Sequence, residues 1–238
     1  MKKAIVIGAS SGIGRELVRE LTRNQYVVGA MARRFQLLSD LRNEEKDGIH
    51  IKEIDVTDVA PAMKKLTEFI NEMGSVDLIV LCAGVGENNP SLNWPVEELT
   101  IKTNVTGFTA LLNVAVQHFI EQGFGHLVGI SSVAALRGGR ASPAYNASKA
   151  FESNYLEGLR QKMRRSRIPI TISDIRPGYV KTTMAKGHGV FWVAKPDEAA
   201  RQIYQAIKRK KQIAYITHRW VLIAWLLNIL PGFIYERL

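Results

Sequence analysis

The chain has 238 residues, a formal net charge of +10 at pH 7 and a single cysteine, Cys82. One cysteine excludes a disulfide within the chain and a metal site built from several cysteines. The positive charge suits an acidic partner, whether a phosphorylated cofactor, an anionic membrane or a nucleic acid. No run reaches the ~20 apolar residues of a membrane-spanning helix. The two lysines at the start precede an apolar run of only five residues, which enters a glycine loop directly, so this run is predicted to be a first strand rather than a leader.

Short apolar runs alternate with segments of helical period along the chain. The predicted strands cover residues 4–10, 26–33, 49–56, 76–84, 126–132, 170–178 and 212–217. The predicted helices between them include residues 35–45, 96–121 and 142–165, and one that begins at Pro196. Alternating strands and helices with few hairpin signals predict an α/β fold, a parallel sheet covered by helices on both faces. We expect one domain over residues 1–217.

A glycine-rich loop, GASSGIGRE, follows the first predicted strand and opens the first predicted helix. Gly8, Gly12 and Gly14 allow a tight turn and a close approach of the main chain to a phosphate, which the free N–H groups of the helix then bind. Ser10, Ser11 and Ile13 belong to the same loop. Its position between a strand and a helix predicts a dinucleotide site.

The end of the second predicted strand, MARRF, discriminates between dinucleotides. A site that prefers NAD(H) carries an acidic residue there for the ribose hydroxyl. This chain has Arg33 and Arg34 instead, and a guanidinium suits the charge and geometry of a 2′-phosphate. NADP(H) is therefore favoured over NAD(H), with Arg15 and the loop serines as candidate helpers.

The motifs and their order resemble those of the classical short-chain dehydrogenase/reductase family, over roughly residues 1–210. GASSGIG resembles the family's TGxxxGIG loop. DVT resembles the block that contacts the adenine, which assigns Asp55 and Val56 to that contact. CAG resembles the family's Asn-Ala-Gly segment and assigns Ala83 and Gly84 to the cofactor site, with Cys82 in place of the asparagine.

Four further segments resemble the catalytic part of the family. KTNVTG contains Asn104, GISSVAA contains Ser132, and YNASK contains Tyr145 and Lys149. These four residues match the family's catalytic residues, and Tyr145 and Lys149 also bind the cofactor in it. RPGYVKT resembles the segment that holds the nicotinamide, and the residues of it that align are Pro177, Gly178, Val180 and Thr182.

The resemblance implies a Rossmann-type, doubly wound sheet of seven strands and an oxidoreductase that interconverts a carbonyl and an alcohol. Hydride transfer to a ketone leaves an alkoxide, to which Tyr145 would give a proton. Lys149, one helical turn further on, would stabilise the ionised phenol by its charge and hold the nicotinamide ribose. Ser132 would hold the substrate oxygen, and Asn104 would position a water that links Lys149 to solvent. A homodimer or homotetramer is expected from the resemblance.

Two rival functions remain at this point. A non-catalytic sensor or scaffold that binds a dinucleotide would have the same fold, but it would need no proton donor. A nucleic-acid-binding protein would suit the charge, but the chain has no recognisable motif for it. The five histidines have no ligand spacing, and no metal is expected.

The substrate side is less well defined by the sequence. A short segment between Thr182 and Lys195 takes the place of the family's lid, and its Gly187, Gly189, Phe191 and Trp192 suggest a mobile apolar flap. We therefore expect an apolar substrate.

Residues 218–238 are expected to form an apolar helical extension. Residues 220–230 are apolar except for Asn228. Three alternatives remain: the segment covers the substrate cleft, packs in a subunit interface, or lies on a membrane with residues 208–211 on anionic headgroups. We expect a cytoplasmic protein, with peripheral membrane contact under the third alternative.

Overall fold

The computed structural model describes residues 1–45, 48–182 and 191–237. Within these ranges the chain forms a seven-stranded sheet in which every neighbouring pair of strands is parallel. The strands are β1 (Lys3–Ile7), β2 (Val27–Ala32), β3 (Ile49–Glu53), β4 (Leu78–Leu81), β5 (Gly125–Ile130), β6 (Ile170–Pro177) and β7 (Ile213–Ile216). Their order is β3-β2-β1-β4-β5-β6-β7, which is the predicted doubly wound arrangement. The chain reverses its direction of winding between β1 and β4, where such sheets bind ligands.

Helices cover both faces of this sheet. Those of the described ranges are α1 (Gly12–Arg23), α2 (Phe35–Glu45), α3 (Val59–Met73), α4 (Trp94–Ile101), α5 (Phe108–Gln122), α6 (Pro143–Ser166), α7 (Pro196–Lys208), α8 (Trp220–Ile229) and α9 (Gly232–Tyr235). Ala4 and Val6 of β1 pack in the core under α1, α2 and α7. Ile5 and Ile7 pack in the second core, under α3, α5 and α6. Burial on both faces explains why the central strands β1 and β4 are continuous apolar runs.

Two features differ from the sequence-based expectation. Several strands end earlier than predicted, at Ile7 rather than residue 10 and at Leu81 rather than residue 84. The glycines and small residues that follow leave the sheet and form loops at its carboxyl edge. The predicted helix over residues 96–121 is divided into α4 and α5 by a π-helical turn, Lys102–Gly107.

The C-terminal segment crosses the carboxyl edge of the sheet. Trp220 packs directly against the main chain at Gly178, where an added Cβ would lie 2.0 Å from the indole ring. Arg137 donates hydrogen bonds to the carbonyls of Leu227, at 2.8 Å, and Leu230 at the end of α8. Among the described residues, no helix combines the length and the apolarity needed to cross a membrane.

Candidate active site

A cleft of about 1610 Å³ opens at the carboxyl edge of the sheet, over the ends of β1 and β4. The predicted site residues share this cleft, with Asn104 buried behind its wall. Those that line it are Gly8, Ser10, Ser11, Gly12, Ile13, Gly14, Arg33, Arg34, Asp55, Val56, Ala83, Gly84, Ser132, Tyr145, Lys149, Pro177, Gly178, Val180 and Thr182. The fold therefore brings together segments that are far apart in the sequence.

The glycine loop forms the floor of the cleft at the N-terminus of α1. Gly8 has φ of 94°, a left-handed conformation, and a Cβ there would lie 2.4 Å from the main-chain nitrogen of Ala83. A side chain at this position is excluded on both grounds. Because α1 begins at Gly12, its first N–H groups are free of helical partners and lie where the loop lines the cleft. This arrangement fits the phosphates of a dinucleotide.

The two arginines after β2 are placed differently. Arg34 donates to the hydroxyls of Ser10, at 2.9 Å, and Ser11, at 2.6 Å, which holds its guanidinium over the glycine loop. Arg33 is 67% exposed, and its guanidinium lies 3.9 Å from the carboxylate of Asp55. Arg15 differs from its expected role, because it pairs with Glu44 at 2.7 Å on the surface of α1 and α2. Of the three arginines, Arg34 is the one whose guanidinium is held beside the glycine loop.

Asp55 follows β3 and turns the chain toward the cleft. Its Oδ1 accepts hydrogen bonds from the main-chain N–H and the hydroxyl of Thr57, at 3.0 and 2.7 Å. Although burial opposes it, these hydrogen bonds hold the pKa of Asp55 below its ordinary value. The carboxylate is thus ionised at neutral pH, with Val56 beside it in the cleft wall.

Tyr145 and Lys149 lie on one face of α6, on the wall opposite the glycine loop. The helix begins at Pro143, which suits a first turn, so that Tyr145 lies in the first turn and Lys149 in the next. The Lys149 Nζ lies 5.9 Å from the centre of the Tyr145 ring. Ser132 lies across from them after β5, where its Oγ accepts from the N–H of Ala134 at 3.1 Å. Its hydroxyl donates to the carbonyl of Pro177 over a long 3.3 Å.

Asn104 supports this wall from behind. The π-helical turn directs its side chain toward the loop after β4, where its amide exchanges hydrogen bonds with both main-chain groups of Val85, at 2.9 and 2.8 Å. The same amide donates to the hydroxyl of Ser148 at 3.0 Å. A Cβ at Gly84 would lie 3.4 Å from Asn104 Oδ1 and 3.3 Å from Lys149 Nζ. Asn104 and Lys149 are therefore neighbours beneath the same stretch of main chain.

The sequence model of the short chain dehydrogenase family matches residues 2–191. The chain belongs to that family. An uncharacterised oxidoreductase of Myxococcus xanthus is 39% identical over 188 residues, which cover 77% of this chain and 74% of that protein. The NADP-dependent 3-hydroxy acid dehydrogenase YdfG of Escherichia coli is 28% identical over 182 residues, covering 75% and 73%. This short-chain dehydrogenase is accordingly an oxidoreductase.

Solved structures share its fold. A short-chain dehydrogenase from Sphingobium yanoikuyae in complex with NADPH matches with a TM-score of 0.80 at 20% identity, covering 98% of this chain and 97% of that one. Actinorhodin polyketide ketoreductase with NADPH, in a variant form, matches with a TM-score of 0.81 at 22% identity, covering 96% and 98%. Both confirm the Rossmann-type architecture predicted from the sequence.

Some residues that shape the site of this short-chain dehydrogenase were not predicted. Asn146 donates to the carbonyls of Ala134, at 3.2 Å, and Arg137, at 2.8 Å, and thereby fixes the loop after Ser132 to α6. Asn146 lies within the YNASK motif, so its position was a usable signal. Glu152, fully buried, contacts Lys149 with both carboxylate oxygens at 2.9 Å. Glu152 lies three residues after Lys149 on the same helix, and this spacing was also a usable signal in the sequence.

The predicted flap is described in part. Gly187 and Gly189 lie outside the described residues. Phe191 stacks on Trp220 with ring centres 5.2 Å apart, and Trp192 meets the same ring edge-on at 6.1 Å. The aromatic residues of the predicted flap thus pack against the C-terminal segment.

Two further reactive side chains, Cys82 and Ser131, lie near the site. Burial raises the pKa of the Cys82 thiol to about 12, which makes it a poor nucleophile. Ser131, beside Ser132, donates to the buried carboxylate of Asp174. Over the described ranges, the structure has no cluster of three or more histidine, cysteine or acidic residues suited to a metal ion.

Proposed function

We propose that this protein is an NADPH-dependent oxidoreductase that interconverts a carbonyl and an alcohol on an apolar substrate. The observation that carries the proposal is that Tyr145, Lys149 and Ser132 line the same cleft as the glycine loop. A proton donor, a cation and a hydroxyl therefore face the place where a nicotinamide would lie. A sensor would need the glycine loop but not this wall.

The roles proposed for the side chains follow from their chemistry. The bound cofactor supplies or accepts the hydride. Ser132 holds the substrate oxygen, since its present acceptor at 3.3 Å is distant enough to be exchanged. Tyr145 gives its proton to that oxygen during reduction and takes it back during oxidation. Lys149 stabilises the phenolate by its charge and holds the nicotinamide ribose, while Asn104 positions a water beside Lys149.

The preference for NADP(H) rests on Arg34. Its guanidinium is held over the glycine loop by two serine hydroxyls, and no acidic residue follows β2 directly. A planar guanidinium binds phosphate oxygens in a bidentate manner. The name of the relative YdfG, an NADP-dependent enzyme, agrees with this proposal.

The apolar substrate is proposed from the outer end of the cleft. Side chains of the C-terminal segment line it there, together with two aromatic residues that precede α7. They are Tyr179, Phe191, Trp220, Ile223, Leu227 and Tyr235. A carbonyl compound with a substantial hydrocarbon part would bury apolar surface against this wall.

Because its side chains line the outer end of the cleft, the position of the C-terminal segment supports the first of the three sequence-based alternatives, in which this segment covers the cleft. Its outer face is still apolar, with Leu222, Trp225 and Ile229 each more than half exposed. The basic residues 208–211 precede β7 and α8 follows it, so the two lie at opposite ends of that strand. Peripheral membrane contact through residues 220–230 stays a prediction, which pelleting with liposomes before and after deletion of residues 218–238 checks.

Two expectations about the whole protein accompany the proposal. The family resemblance predicts a homodimer or homotetramer, which light scattering on the purified protein measures. The single cysteine suits a reducing compartment, and we expect the protein in the cytoplasm and without nucleic-acid binding.

A screen of carbonyl compounds tests the proposed activity. Ketones, quinones and lipid-like carbonyls are offered with NADPH, and its consumption is followed by absorbance. Replacement of Tyr145 by phenylalanine is expected to lower the rate at least about 100-fold, since general acid catalysis typically contributes that much. NADPH binding, measured by fluorescence titration, should stay within about threefold because the hydroxyl is one contact of many.

Tyr155→Phe is the matched control. Tyr155 lies on the same helix, ten residues further on, and stacks on Phe151 outside the cleft. Near-normal turnover in the Tyr145 variant would refute the mechanism. NADPH binding without turnover on any carbonyl would favour the sensor.

A further inference from the structure

A fully buried carboxylate contacts the ammonium that lies beside Tyr145. Both oxygens of Glu152 lie 2.9 Å from Lys149 Nζ, and Glu152 is 0% exposed. The carbonyl of Ile130 accepts a further hydrogen bond from the same nitrogen at 3.1 Å. An ammonium has three donors, and the protein here supplies three acceptor atoms. Lys149 is therefore held by its own chain before any cofactor ribose is bound.

The electrostatic surroundings of Glu152 are simple. Lys149 faces it from α6, Asp174 from β6, and the thiol of Cys82 from the end of β4. Asp174 is itself neutralised by Arg176, whose Nε lies 2.7 Å away. Lys149 is thus the cation that balances Glu152.

Both partners of the pair are charged in alkaline solution. Burial raises the pKa of Glu152, with Lys149 opposing the rise and Asp174 adding to it. Against the effect of its own burial, the carboxylate in turn holds the pKa of Lys149 above its ordinary value. In the alkaline range, where phenols ionise, the pair therefore carries almost no net charge.

This neutrality bears on the proton donor. An uncompensated ammonium near the ring of Tyr145 would stabilise the phenolate. A carboxylate in direct contact with that ammonium works against this stabilisation. We propose that Glu152 is a positioning residue that holds Lys149 against the cleft wall and offsets its charge at Tyr145, so that the phenol keeps the proton that carbonyl reduction consumes. This inference rests on the proposed oxidoreductase function.

The pH dependence of alcohol oxidation tests the role of Glu152. In this direction Tyr145 must accept a proton, so kcat/KM rises with pH through a midpoint that reports its ionisation. Glu152→Gln keeps the shape of the side chain and removes its charge. The midpoint is expected to fall by on the order of one pH unit, the Coulomb effect of one charge several ångströms from the ring at an effective dielectric constant of about 20.

Two further variants make the test specific. Glu157→Gln makes the same chemical change at an exposed position of the same helix and should leave the midpoint where it is. Glu152→Asp keeps the charge but withdraws it by one methylene, so the midpoint should fall by less than in the glutamine variant. If the glutamine variant does not fold, the aspartate variant still supports or refutes the inference by its shift.

The outcomes separate this inference from the function on which it rests. The proposed function is refuted at the earlier screen, if the wild-type protein reduces none of the carbonyls offered. The alcohol used here is the product of a carbonyl that it does reduce. An active Glu152→Gln variant whose midpoint is unchanged, or higher than that of the wild type, refutes the role of Glu152 alone. A merely structural role would lower the melting temperature and leave the midpoint in place.

Discussion

Replacement of Arg34 by alanine tests how the chain distinguishes its two candidate cofactors. Two serine hydroxyls hold the Arg34 guanidinium over the glycine loop. A hydrogen bond to a charged group contributes roughly 1.5–3 kcal/mol, and the exposure of Arg34 places it at the lower end because solvent screens it. A loss of about 1.5–2 kcal/mol corresponds to an NADPH dissociation constant about 10- to 30-fold higher. The dissociation constant of NADH, which lacks the 2′-phosphate, should not change.

The assay is a fluorescence titration of each variant with NADPH and with NADH at low and high salt. Arg33→Ala should weaken NADPH binding about threefold or less, because the Arg33 side chain is 67% exposed and lies near Asp55. Arg42→Ala, an exposed position on α2 outside the cleft, is the charge-matched control. Equal losses for the two cofactors, or an unchanged NADPH affinity, would contradict the assignment of Arg34 to the phosphate.

Two other predictions concern pH and the C-terminal segment. Burial, with a smaller contribution from Lys210, lowers the pKa of His126 to about 4; the folded state thus prefers neutral His126, and this preference should lower the free energy of unfolding of the wild type by up to about 3 kcal/mol relative to His126→Gln as pH drops from about 6.5 to about 4. The raised pKa of Glu152 acts in the opposite direction, but equally in both proteins. Denaturant melts of the two proteins across this range should show the difference, and equal pH slopes would refute the prediction. Arg137→Ala removes the hydrogen bonds to Leu227 and Leu230 and should raise the KM for the carbonyl at least about 10-fold, the lower end of the roughly 1.5–3 kcal/mol that a hydrogen bond to a charged group contributes, with NADPH affinity unchanged. Arg165→Ala is the control on the exposed side of α6. A KM that changes equally in both variants would refute a role of the Arg137 hydrogen bonds in substrate binding.

Much of the fold follows from local patterns in the chain. The continuous apolar runs that became β1 and β4 are recognisable because both of their faces are buried, and the glycine loop lies where such a run meets a helix. The ends of the strands are harder to predict. Cys82 and Ala83 are as apolar as the strand before them, yet they leave the sheet to line the cleft.

The site was predictable in its residues but not in its supporting contacts. Tyr145 and Lys149 can be recognised by their spacing. The π-helical turn that directs Asn104 inward spans only Lys102–Gly107, which is too short to show a periodic pattern of its own. Arg137 lies 90 residues before Leu227, whose carbonyl it binds. Without knowledge of such a long-range contact, the sequence of α8 suits the cleft, a subunit interface and a membrane surface equally well.

The position of α8 and α9 also bears on what relatives can reveal. The family's sequence pattern matches residues 2–191, whereas Trp220, Ile223, Leu227 and Tyr235, which enclose the outer end of the cleft, all lie beyond it. The match to the family's sequence model, over the first four-fifths of the chain, therefore supports an oxidoreductase and carries no information on the size and shape of its substrate. Two short-chain dehydrogenases can therefore keep the same reaction and differ in substrate specificity through little more than their last twenty residues.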